Sequence, residues 1–196
     1  TISKHHLLLQ ASMMSEIIYQ IIEIYIVLSL YALFRGVNRR MALQMLVLGL
    51  LPIPIVLLNE VTMIASITVA NGADRLHELA PEMQNMVAVS LYGLHQTGII
   101  IASIFWGLWL FPLGCLIRAS RILPNALGWS VILGGLGYIV RAIVVLGANG
   151  ILSKTTTAIV LSWADLMILG EVPVIAGLLW LGFRNTTRPH GQTVEG

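Results

Sequence analysis

Long apolar stretches alternate with short polar connectors along the whole chain. Five stretches stand out, at about 8–34, 41–70, 87–117, 125–148 and 158–183. The connectors between them read "RGVNRR", "NGADRLHELAPEMQ", "RASRILPN" and "GANGILSKTT". Each stretch reaches the roughly 20 apolar residues that an α-helix needs to cross a bilayer. The pattern predicts an all-α integral membrane helical bundle, one transmembrane domain over residues 1–196 with five transmembrane helices. Residues 184–196 are expected to be a flexible cytoplasmic tail. Several spans are longer than a bilayer requires, so tilt or extension beyond it is expected. Pro52 and Pro54 in "LLPIPIVLLNE" remove two backbone donors and predict a kink or local unwinding of the second span. Pro173 predicts the same in the last.

Composition agrees with this pattern: 57% of residues are hydrophobic, 10% are charged, and the mean hydropathy is +0.88. A soluble domain carries about 25% charged residues, enough to cover a surface facing water. The net charge of +2 matters less than its distribution. Arg35, Arg39, Arg40, Arg118, Arg121, Arg184 and Arg188 fall on one side of the predicted bundle, and Lys4, Arg75 and Lys154 on the other. The excess of positive charge predicts that the first side is cytoplasmic and that the C-terminus lies inside. The N-terminus is then outside, which implies one further helix before this chain begins. Trp106, Trp109, Trp129, Trp163 and Trp180 are expected to anchor span ends at the interface. "DRLHELAPEM" reads equally as a solvated loop or as a short interfacial helix with Leu76, Leu79 and Met83 toward lipid. Gly134, Gly135, Gly137, Ser130-x-x-x-Gly134 and Gly93-x-x-x-Thr97 mark expected close helix contacts. Cys115 is the only cysteine, which excludes an internal disulfide or a cysteine-ligated metal site.

The informative residues are those that lipid should exclude. Glu16 and Glu23 lie in the first span, Glu60 in the second, His95 in the third, Arg141 in the fourth, and Asp165 and Glu171 in the fifth. An ionisable group at a helix centre costs about 2.5–3.5 kcal/mol or more, so such residues face protein or a watery cavity. Ser12, Glu16, Tyr19, Gln20 and Glu23 recur at three and four, giving the first span one polar stripe. Tyr92, His95 and Gln96 share a face of the third. Glu16, Glu60, His95, Arg141 and Asp165 each lie roughly seven to ten residues from the outer end of their spans. Glu23 and Glu171 lie nearer the midplane. Helices running in opposite directions thereby bring these groups to a similar level. Arg141 is then the fixed positive centre of a buried polar cluster, paired with Asp165 or Glu16. The remaining acids must be protonated, hydrated or neutralised by a bound cation. Two readings stay open at this point: an ion-pair network that sets helix register, and a cavity that holds a ligand or ion.

The segment "FWGLWLFPLGCLIRASRILPNALGWSVILGGLGYIVRAI", residues 105–143, resembles the uncharacterised bacterial membrane family called domain of unknown function 4386. The likeness lies in F-x-G-L-x-L-x-x-x-G-x-L-I, "RASRILPNALG" and "GGLGYIVRA", with support from "YALFRGVNRRMALQ" and "GEVPVIAGLLWL". It extends over most of residues 7–183. The resemblance implies six spans with both ends cytoplasmic in the bacterial inner membrane, and no assigned activity.

Signatures of an enzyme are weak. There is no Gly-x-Ser-x-Gly, no His-Glu-x-x-His, and a single intramembrane aspartate. A metal trio of His95, Glu16 and Asp165 is conceivable on chemistry alone. One membrane histidine excludes a bis-histidine haem within the chain, and the absence of a lysine from the spans excludes a retinal Schiff base. The residues point instead to a ligand- or cation-binding membrane protein, with transport as an extension, or to a non-catalytic accessory or sensor subunit. Cofactors stay undetermined. Expected partners are membrane lipid and a second copy or a partner membrane subunit, not nucleic acid.

Overall fold

The structure is a computed structural model that describes residues 6–72, 80–147 and 151–186. No strand occurs among them. Helix α1 (His6–Phe34) turns through Arg35–Val37 into α2 (Arg39–Leu50) and α3 (Pro52–Ala70). The long α4 (Pro81–Ser120) follows, then α5 (Asn125–Gly147), α6 (Lys154–Ile168), a single 3-10 turn (Leu169–Glu171) and α7 (Val172–Thr186). They make five helical segments long and apolar enough to cross a membrane, α2 with α3 forming the second and α6 with α7 the fifth. The described residues thus form the expected all-α bundle.

Local chemistry explains the boundaries. The side chain of Asn38 accepts a hydrogen bond from the Met41 amide at 3.1 Å and opens α2. Ser153 does the same for Thr156 at the start of α6. Pro52 and Pro54 divide the second span at Leu51 into two helices, because neither proline can donate to the preceding turn. In the fifth span, Pro173 cannot supply the amide that Leu169 would accept, and the chain tightens there into the 3-10 turn carrying Glu171. α4 has 40 residues, about 60 Å at 1.5 Å per residue, twice a ~30 Å hydrocarbon layer. It begins at Pro81, ahead of the expected start at 87, and takes Met83 into its first turn. The remainder of "DRLHELAPEM", Asp74–Leu79, lies outside the described residues, as do Lys4, Arg75, Arg188 and the tail from 187 onward.

α4 is the axis of the bundle. It packs against α2, α3 and α5, while α5 carries α6 and α1 rests on α2 and α3. Two reciprocal glycine pairs set the closest seam. A Cβ added at Gly107 would stand 2.7 Å from the Gly135 carbonyl oxygen, and one at Gly114 would stand 2.5 Å from that of Gly128. Any larger residue would force the two backbones apart. The expectation for Gly93-x-x-x-Thr97 is corrected. Gly93 faces open space, and the Thr97 hydroxyl donates back to the Gly93 carbonyl within the same helix.

The alternation of helices puts Arg35, Arg39, Arg40, Arg118 and Arg121 at one end of the bundle, termed the arginine end, and Lys154 at the other. The apolar core sits toward the arginine end, built on Val27, Leu30, Phe34, Met45, Leu113 and Ile117. Arg118 closes this end by laying its guanidinium over the Trp129 ring, 4.1 Å from the centroid. Leu58, Val61, Trp163, Leu179 and Phe183 are among the large apolar side chains left exposed, a surface suited to lipid. Trp106 and Trp109 depart from the expected interfacial role. Both face the interior, because α4 continues for eleven or more residues beyond them before it ends at Ser120.

Candidate functional site

The polar residues gather in the half of the bundle away from the arginine end, in two adjoining cavities. The deeper one, of about 220 Å³, is lined by three glutamates (Glu16, Glu23 and Glu171) and four aromatics (Tyr19, Trp106, Trp109 and Tyr138). The second, of about 280 Å³, runs past Ser12, Glu60, Tyr92, His95 and Gln96, and shares Glu16 and Trp106 with the first. Neither lining contains a lysine or an arginine.

Each side chain arrives by a local rule. The 3–4 repeat of α1 puts Glu16, Tyr19 and Glu23 on one face, as its sequence predicts. Gln20, fully buried, donates from Nε2 to Glu16 Oε1 at 3.0 Å and fixes that carboxylate between the cavities. Glu171 reaches the deep cavity from the 3-10 turn. Tyr138 enters from α5, and its ring leans on Trp106 with centroids 6.3 Å apart and planes at 59°.

The second cavity is organised around Asn59, which links α3 to α4. Its Nδ2 donates to the His95 carbonyl at 2.8 Å and lies 3.1 Å from His95 Nδ1. His95 Nδ1 is also 3.9 Å from Glu60 Oε1 and stacks its ring on Tyr92. A Cβ at Gly98 would collide with the Asn59 amide, so glycine there makes room for the link.

The carboxylates are incompletely matched. Glu23 and Glu60 are each only 4% exposed, yet Glu23 Oε2 and Glu60 Oε2 meet no hydrogen-bond partner within the protein. Glu171 Oε1, Gln20 Oε1 and Trp106 Nε1 share that condition. A buried polar atom left unpaired costs about 1–3 kcal/mol, more when charged, so several here point to something that completes them.

Five of the seven expected site residues therefore line the paired cavities: Glu16, Glu23, Glu60, His95 and Glu171. Arg141 and Asp165 do not. They pair with each other between α5 and α6, with side chains 36% and 55% exposed. Of the two expected partners of Arg141 the structure gives Asp165, but the pair stands outside both cavities, so Arg141 is not the positive centre of the other acids. Gly134, Gly137 and Arg141 lie on one α5 stripe, and the glycines bring α6 so close that a Cβ at Gly137 would stand 2.6 Å from the Ala164 carbonyl oxygen. Asp165 follows Ala164 and takes the guanidinium before any acid of α1 can. The conceivable His95, Glu16 and Asp165 metal trio is dispersed by the same geometry, and no group of three or more His, Cys, Asp or Glu side chains is arranged to hold a metal among the described residues. Sequence reasoning missed Trp106, Trp109 and Tyr138. Tyr138, central in the predicted fourth span, is the one of the three that its position could have flagged; the two tryptophans read as interfacial anchors.

The family model described as "Domain of unknown function (DUF4386)" matches residues 1–183. The chain belongs to this family. The match covers every helix that lines the two cavities of the DUF4386 chain. No curated protein and no solved structure matches it.

Proposed function

We propose that this DUF4386 protein is a multi-pass membrane protein that binds a proton or small cation in its paired acidic cavities. The observation that carries the reading is the charge imbalance. Glu16, Glu23, Glu60 and Glu171 line connected space with no arginine or lysine, and His95 is the one cationisable side chain among the linings. Carboxylates in so apolar a setting are neutralised either by protons or by a bound cation. The asymmetry of arginines favours a bacterial inner-membrane orientation with the arginine end in the cytoplasm and the cavities reached from outside.

The test is ligand-dependent stability. A cation at about fivefold its Kd stabilises the folded state by ~1 kcal/mol, or roughly 2–4 °C in Tm for a chain of this size. Wild-type protein in detergent is expected to gain that shift with at least one of ammonium, sodium, potassium or acid pH. Glu23→Gln/Glu171→Gln is expected to lose it. Identical responses of wild type and variant to all four would overturn the proposal. Transport is a further step, tested by proton and cation flux into vesicles carrying wild type or Glu60→Gln. A non-transporting accessory subunit is the second reading, favoured by the fifth span, which leaves Trp163, Leu166, Val172 and Ile175 uncovered for a partner helix. Background flux with cation binding intact would support that reading.

A further inference from the structure

All seven residues lining the deep cavity are glutamate, tryptophan or tyrosine. From that composition we infer that the cavity is a recognition site for a small organic ammonium ion. The inference rests on the cation-binding reading above and narrows its ligand.

Aromatic faces carry negative quadrupole potential and attract ammonium groups that lie within about 6 Å of the ring centroid. Trp106 and Tyr138, tilted at 59° to each other, form two sides of a corner rather than a flat stack. Corners of this kind hold methylated ammonium ions through their polarised methyl groups. Trp109 is nearly buried and supplies another wall, and Tyr19, 49% exposed, stands at the rim. Glu23 provides the charge: it is 96% buried, lines the cavity, and keeps an oxygen without any partner in the protein. Glu171 adds a second such oxygen, while Glu16 is already held by Gln20.

Other occupants fit less well. Sodium, magnesium or calcium needs a shell of oxygen ligands, and four of the seven linings present rings instead. A proton alone needs no box of aromatic walls. A neutral apolar molecule would leave the buried Glu23 oxygen unpaired, at the full cost of its desolvation. The volume of about 220 Å³ lies below the ~300–1,000 Å³ of pockets for drug-sized ligands and suits an ammonium group with a few carbon atoms around the nitrogen. The 280 Å³ cavity past Ser12 and Gln96 joins it at Glu16 and Trp106 and offers a polar route in.

The experiment is calorimetric titration of the full chain in detergent with tetramethylammonium, choline, and the alcohol in which the nitrogen of choline is replaced by carbon. Wild type is expected to bind both ammonium ions saturably and the neutral analogue at least about tenfold more weakly. Tyr138→Leu and Glu23→Gln are each expected to weaken ammonium binding by about tenfold or more, with Trp106→Phe retaining part of it. Asp165→Asn, outside both cavities, leaves binding unchanged, and a folded Tyr138→Leu keeps the test open if Glu23→Gln does not fold. Equal affinity for the neutral analogue overturns the inference. So does binding of inorganic cations or protons without the ammonium ions, although the broader cation-binding reading then survives. Failure of every cation to bind removes both.

Discussion

Arg141 and Asp165 form a partly exposed ion pair on the seam where Gly137 brings α5 against Ala164 of α6. Within a membrane the cost of such a pair appears when one member is removed, because the survivor is stranded in an apolar setting. Arg141→Leu is expected to lower stability by ~2–3 kcal/mol, about 5–10 °C in Tm. Arg141→Leu/Asp165→Leu should recover most of that loss, as the uncompensated charge is gone. A double variant at least as unstable as the single one would show that the pair contributes attraction beyond charge balance. The same residue shows where sequence reasoning ends. That an arginine sits within an apolar helix is legible from the sequence alone, but its burial and the identity of its partner depend on which helix comes closest. Gly137 decides that in favour of α6, and the cavity acids are left without a guanidinium.

Among the elements, α4 and α5 owe their contact to two glycine pairs seven residues apart, Gly107 with Gly135 and Gly114 with Gly128. Seven residues are two helical turns, so both pairs fall on a single seam of antiparallel helices. Gly107→Val is expected to cost ~1–3 kcal/mol through enforced separation. Because Tyr138 projects from the same region of α5, this variant should also enlarge the corner between Trp106 and Tyr138. Gly93→Val, where open space surrounds the position, is expected to stay within about 0.5 kcal/mol of wild type. Thermal melts of the two variants in one detergent make the comparison, and equal losses would refute the seam. Helix number, the break at Pro52–Pro54 and the polar stripe of α1 were readable in advance, since each depends on periodicity or on the missing proline amide. Gly107, Gly114 and Gly128 were not, because a lone glycine becomes a contact only opposite another. Trp106 and Trp109 were concealed by the length of α4, which moves them from an interface to the interior.

Across the whole molecule the two halves differ in kind. Toward the arginine end, Leu30, Phe34, Met45, Leu113, Ile117 and Val131 fill the space between helices. Toward the other end the interior is polar and hollow, and a third, mostly apolar cavity of about 180 Å³ continues from Tyr19, Glu23 and Glu171 past Leu30, Leu113 and Val131. Beyond Glu23 and Glu171 that space offers a proton or cation no further acid, so under the proposed function the acids are its innermost polar stop. Access should be one-sided. With Cys115 replaced by serine, Gln96→Cys is expected to react with a membrane-impermeant thiol reagent applied to intact bacterial cells. Arg39→Cys is expected to react only once the membrane is opened, and Val131→Cys from neither side. Labelling of Arg39→Cys in intact cells, with Gln96→Cys protected, would reverse the orientation drawn from the arginines while preserving one-sided access. Val131 is 1% exposed, so its rapid labelling as Val131→Cys would mean that the apolar core opens, and a continuous path would then join the acids to the arginine end.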